Sequence, residues 1–179
     1  MLDLIKDKIA HTVVDWKLKD KQNKDQTFTE FFKRAFKFLV LMPQNDADFA
    51  HSMQVLYFLE DNKKHASALT YDFRVSLMPL RFRNRVIEHT LADVNVLKLP
   101  STKIISKLNG MMFQVVLDLN RSDNLFYSYI SSVVEVPIRV GFAKPNSDLY
   151  YNVQIKDKET EAEISYKNFL ECLKIFQGR

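Results

Sequence analysis

The spacing of apolar residues changes several times along the chain. Leu2, Ile5, Ile9, Val13 and Trp16 recur at helical spacing, with Lys6, Asp7 and Lys8 off that stripe, which predicts an amphipathic helix over residues 2–19. The polar tract KLKDKQNKDQ (17–26) reads as a solvated helix end and a linker. Thr27, with Glu30 three residues on, has the pattern of a capping box for a second short helix, TFTEFFKRAFK. The Phe28, Phe31, Phe32 and Phe36 side chains of that helix need a partner surface.

From residue 38 the period changes. The unbroken apolar run over 38–41 predicts a strand buried on both faces and ended by Pro43. A helix carrying Met53, Leu56, Tyr57 and Leu59 follows, then a strand over 67–73. A basic stretch comes next, with Arg74, Arg81, Arg83 and Arg85 ahead of any acid. A short strand is expected over 94–99, stopped by Pro100. Ser101 caps the helix TKIISKLNG, and Gly110 suits its C-terminus.

The most informative stretch is 113–142, FQVVLDLNRSDNLFYSYISSVVEVPIRVGF. The run Val115, Val116, Leu117 ends at Asp118 and Asn120. A polar connection leads into an aromatic-rich helical segment, and a second short strand closes at Gly141. This is one strand–loop–helix–strand unit of a parallel sheet. Residues 149–155 form a further strand or an extended edge, and 165–176 a final helix. Strands alternating with helices predict an α/β fold: a single Rossmann-like three-layer sandwich with a mainly parallel sheet over 37–179. An N-terminal helical extension (1–36) precedes it. In such sheets ligands bind at the carboxyl ends of the strands, where Asp118 and Asn120 fall.

Composition narrows the chemistry. With 46% hydrophobic and 27% charged residues among 179, the chain reads as one soluble, well-filled domain. A net charge of +4 lacks the concentrated basic stripe of a nucleic-acid binder, and no nucleic-acid partner is expected. No apolar run approaches the ~20 residues that span a bilayer, and the first residues lack the pattern of a secretory signal, so the expected location is cytoplasmic. The single cysteine, Cys172, falls in an apolar helical pattern and reads as a buried, inert thiol. Only three glycines occur, and neither G-x-G-x-x-G nor a Walker-type loop is present, so no nucleotide cofactor is expected. His11, His51, His65 and His89 show no metal-ligand spacing with Cys172.

The first apolar strand, the segment Ala47-Asp48-Phe49-Ala50-His51-Ser52, the V-V-L-D-L-N run and R-V-G-F (139–142) together resemble the N-terminal half of heptosyltransferase-type glycosyltransferases. Those enzymes pair two Rossmann-like domains, the first for the acceptor sugar and the second for the nucleotide-sugar donor. The resemblance covers about residues 37–176. Asp48, His51 and Ser52 match the family's first junction, while Ala47 replaces its glycine. It implies Asp48 as general base toward an acceptor hydroxyl. It also implies His51, Ser52, Asp118, Asn120 and Arg139 as ligand-binding positions. Length departs from the family, because a complete enzyme of that type is roughly twice as long. The expectation is therefore a binding or interaction module that does not transfer sugar alone. The alternative is one subunit of a split glycosyltransferase acting on a lipopolysaccharide-type acceptor.

Each candidate also has a purely structural reading. Asp48 stands either as that base or as a helix N-cap. Arg139 meets either an anionic ligand or a nearby acid such as Asp118. The basic stretch after the second strand lies on the expected ligand side, so Arg81 joins Asp48 and Arg139 as a candidate contact for an anionic sugar. The N-terminal helix packs on the sheet, forms a homodimer contact through its Leu2/Ile5/Ile9/Trp16 face, or rests on an anionic membrane surface. A protein supplying the donor domain is the other expected partner.

Overall fold

Short runs of β-branched and leucine residues build the centre of the molecule. A computed structural model describes residues 2–18 and 28–177. Strands β1 (Lys37–Leu41), β2 (His65–Tyr71), β3 (Val86–His89), β4 (Val115–Asp118), β5 (Ile138–Phe142) and β6 (Val153–Ile155) form one sheet in the order β3-β2-β1-β4-β5-β6. Every neighbouring pair is parallel. The chain runs outward from β1 in one direction and then outward from β4 in the other, so strand order reverses between β1 and β4. This is a Rossmann-like three-layer sandwich.

Helices are α1 (Leu2–Leu18), α2 (Phe28–Arg34), α3 (Asp46–Asp61), the single turn α4 (Leu80–Arg83), α5 (Thr102–Gly110), α6 (Leu125–Val133) and α7 (Ala162–Gln177). Alternate strand residues point to opposite faces. Phe38, Val40, Leu117, Val140 and Phe142 pack against Leu56 and Leu59 of α3 and Tyr166 and Phe169 of α7. Leu39, Leu41, Leu69, Ile87 and Val116 face the other way, onto Ile104 and Leu108 of α5 and Phe126 and Ile130 of α6. The continuous apolar character of β1 and β4 follows from this coverage on both faces.

The helical extension belongs to the same body. Phe32 of α2 is buried between Phe38 and Phe176, at ring distances of 5.3 and 5.7 Å. The Lys64 ammonium closes the end of α2 on the carbonyls of Lys33 and Ala35, at 2.6 and 2.8 Å. The expected capping by Thr27 and the linker over 19–26 lie outside the described residues.

Of four local expectations, three change and one holds. First, α1 packs through Ala10, Val14 and Leu18 against Leu99, Tyr129, Tyr150 and Tyr151, while Ile9 (46%) and Trp16 (76%) are exposed. The small side chain of Ala10 permits closer approach than the bulkier stripe would. Second, the third strand is 86–89 rather than 94–99. Asn95 folds the latter segment into a tight turn, its Oδ1 accepting the Leu97 and Leu99 amides at 2.9 and 3.1 Å. Third, Gly110 ends α5 as expected, in ordinary geometry, and the left-handed residue, Met112 (φ 53), follows two positions on. Fourth, Cys172 is half-buried, and burial pushes its thiol up.

Candidate functional site

Loops leaving the carboxyl ends of β1, β2, β3 and β4 surround a cleft of about 510 Å³ on the α6 side of the sheet. Gln44 follows β1, Tyr71 ends β2, Leu91, Val94 and Leu97 follow β3, and Asp123, Asn124 and Phe126 follow β4. Asp7 and His11 of α1 complete the wall. Lys98 reaches across to Asp7 at 3.1 Å, tying the helix to the β3 loop. This is the position that strand order assigns to ligands in open α/β sheets.

His89, the last residue of β3, sits behind the cleft. Its ring lies 4.1 Å from Tyr71 and 4.7 Å from Phe126, and its Nε2 meets the Tyr127 hydroxyl at 2.8 Å. It is fully buried and its Nδ1 has no partner. Burial pulls its pKa down to about 4, against smaller opposing pulls from Asp93 and Asp72. Burial likewise pushes the Tyr127 hydroxyl up, with Tyr71 and Asp118 adding to it, so the phenol keeps its proton. The pair is neutral at pH 7, and a rigid aromatic floor results.

The residues expected from sequence are divided among three places. Asp48 lies at the start of α3 on the opposite face of the sheet, buried, and its Oδ1 accepts from Arg121 Nε at 2.8 Å. It is not the helix cap. That role falls to Asn45, whose side chain accepts the Asp48 amide at 3.2 Å. Arg121 also donates to Ser165 Oγ at 2.7 Å and to the carbonyls of Glu159 and Thr160. One guanidinium thus joins the β4 loop to the starts of α3 and α7. His51 follows half-buried on α3. Ser52, fully buried, donates its hydroxyl back to the Phe49 carbonyl at 2.8 Å.

Asp118 and Asn120 form a second cluster at the end of β4. Asp118 Oδ1 accepts from the amide and side chain of Asn120, at 3.0 and 2.7 Å. Its Oδ2 accepts from the Tyr151 hydroxyl and from Lys144 Nζ, the latter at 3.4 Å. Burial and the Asp118 charge push the Tyr151 hydroxyl up. The cation beside Asp118 is therefore Lys144, not Arg139. Arg139 lies two residues earlier in β5, opposite Val116, where burial lowers its pKa.

Arg81 is placed elsewhere again. Its guanidinium lies 4.1 Å from the Tyr57 ring centroid and 3.3 Å from Glu60, near the C-terminal end of α3. At ~1.5 Å rise per residue that is about 18 Å along α3 from Asp48. The basic stretch is the crossover from the carboxyl end of β2 to the amino end of β3. Only its first arginine, Arg74, stays at the carboxyl side. An anion held by Asp48, Arg81 and Arg139 together is not assembled.

Arg121, Lys144 and Tyr151 were not among the residues singled out in the sequence; Arg74 was named only as part of the basic stretch, and His89 only among the histidines without metal-ligand spacing. Arg121 carried a readable signal, as the lone cation in a polar loop after an apolar strand. His89 also carried one, because Ile87 and His89 share one face of a four-residue strand. Among the described residues, no cluster of three His, Cys, Asp or Glu is arranged to hold a metal ion, and no helix is long and apolar enough to cross a membrane. In comparisons with known proteins, no family model matches the chain and no curated protein matches it.

Proposed function

We propose that the protein is a binding module that takes a sugar-type ligand in the cleft beneath α1 and does not transfer sugar by itself. The observation that carries this reading is the composition of the cleft. Aromatic rings of Tyr71 and Phe126 stand beside the hydrogen-bonding groups of Gln44, His11, Asp123 and Asn124. The apolar surface that these rings share with Leu91, Val94 and Leu97 suits the C–H side of a pyranose, and carboxylates and amides suit its hydroxyls. Charge favours a neutral sugar there over an anionic one. The ionised lining groups are Asp7, Asp123 and Lys98, with Lys98 on Asp7. The Asp48–Arg121 pair supports a binding role over a catalytic one, because the buried carboxylate is already engaged by the Arg121 Nε–H and does not face the cleft.

A split glycosyltransferase, with a partner supplying the donor domain, is the second reading. It is favoured by the place of Asp48 beside the β1/β4 reversal, and it requires Arg121 to release that carboxylate. Calorimetric titration with neutral sugars, sugar phosphates and nucleotide-sugars separates the two. Saturable binding of neutral sugars that disappears in Tyr71→Ala and survives in folded Asp48→Asn is the expected result. Binding of nucleotide-sugars alone, lost in Asp48→Asn, would replace it with the enzymatic reading.

A further inference from the structure

We propose that the chamber adjoining this cleft, built on Arg74, is a carboxylate site for a ligand whose anionic group is carried on a flat apolar body. The chamber has a volume of about 670 Å³ and is lined by Gln44, Tyr71, Asp72, Phe73, Arg74 and Leu91. The Arg74 side chain is only 8% exposed. Its Nη2 donates to the Gln44 carbonyl and to Asp46 Oδ1, the latter at 2.6 Å. Its Nε and Nη1 are buried without an acceptor. Phe49 and Phe73 lie 5.0 and 5.5 Å from the guanidinium carbon. Rings over the faces of a guanidinium attract its charge but do not accept from N–H groups in its plane. Donors on two edges of a buried cation, Nε beside Nη2 and Nη1 beyond it, are thus left without an oxygen from the chain.

The acidic partner of Arg74 is held on unequal terms. The Asp46 side chain is 91% exposed. A ligand carboxylate arriving at the same guanidinium releases Asp46 into water, where its charge is already largely solvated, so charge balance at Arg74 is kept. Asp72 is turned back on its own loop, its Oδ1 accepting the Phe73 amide at 2.8 Å. Tyr71 and the exposed Leu91 supply an apolar wall for the body of the ligand. Phe73 is itself exposed, which leaves it free to swing aside and open the N–H edge of Arg74. This inference goes beyond the sugar reading and stands without it: silence toward sugars leaves the carboxylate result interpretable.

The test is titration of the full chain with benzoate, benzamide and inorganic phosphate, followed by calorimetry and amide chemical shifts. Benzoate is expected to saturate with shifts centred on residues 44–46 and 71–74. Benzamide, of the same shape without the charge, and phosphate, charged without the apolar body, are each expected to bind about tenfold more weakly or less. Arg74→Lys keeps the charge, loses the planar donors and weakens benzoate about tenfold. Asp46→Asn removes the competing carboxylate and tightens benzoate several-fold. Because Asp46 is exposed, that variant keeps its fold and remains informative if Arg74→Lys does not. Equal binding of benzoate and benzamide, no tightening in Asp46→Asn, or no saturable benzoate binding would each overturn the proposal.

Discussion

His89 occupies a box of aromatic rings that accepts the neutral imidazole and resists the charged one. Its pKa of about 4 lies below the ordinary 6.5. The unfolded chain therefore binds a proton on this group at a higher pH than the folded chain does. Stability from His89 is complete above pH 6.5 and is lost progressively as pH falls toward 4. At 1.36 kcal/mol per unit the full loss is about 3 kcal/mol. Urea denaturation across that window should show this slope in the parent protein and a flatter one in His89→Gln. Equal slopes would place the titration elsewhere. Met112 makes a second residue-scale case. It holds a left-handed conformation (φ 53) while exposed, so its side chain gains little there. Met112→Gly is expected to raise stability by about 1 kcal/mol, readable as a shift in denaturation midpoint. Such a site is hard to see in the sequence, because the conformation is imposed by where α5 must stop and β4 begin.

At the level of elements, β1, β4, β5 and the helices α5 and α7 follow from period, and so does the existence of α1, though not its buried face. The third strand does not. Val86–His89 is only four residues long and adjoins a run of arginines, so the alternation that places Ile87 and His89 on one face was readable but too short to outweigh the apolar run over 94–99. Packing choices were hidden: the bulkier stripe of α1 was readable, but the smaller Ala10 and Val14 are what fit against Tyr129 and Tyr151. Gly141 shows how one element fixes another. A Cβ there would lie 2.7 Å from the Tyr151 ring, which carries the hydroxyl bonded to Asp118. Gly141→Ala is expected to cost about 2–3 kcal/mol. In a double-mutant cycle with Tyr151→Ala the two losses should add to much less than their sum; additivity would mean that the glycine serves something other than Tyr151. Arg121→Ala, which removes the tie between the β4 loop, α3 and α7, should cost about 3 kcal/mol by leaving Asp48 buried without its cation. A loss below about 0.5 kcal/mol in thermal unfolding would show the pair to be dispensable.

For the whole molecule, the reversal of strand order between β1 and β4 creates carboxyl-end positions on both faces of the sheet, and the two are used differently. On the α3/α7 face, Arg121 fills the space between two helix starts and is neutralised there by Asp48. On the α6 face, the loops stay apart under α1 and leave a cleft. The end of the sheet was legible as the place for a site; its open side was not, because that depends on which charged groups meet across elements distant in sequence. The measurement that tests this division most directly is backbone amide mapping of the full chain titrated with neutral oligosaccharides. Saturable shifts are expected in residues 7–11, 71, 91–98 and 123–126, with 46–52 and 121 unchanged. Shifts concentrated at 46–52 and 121, or no response to any sugar, would contradict that division.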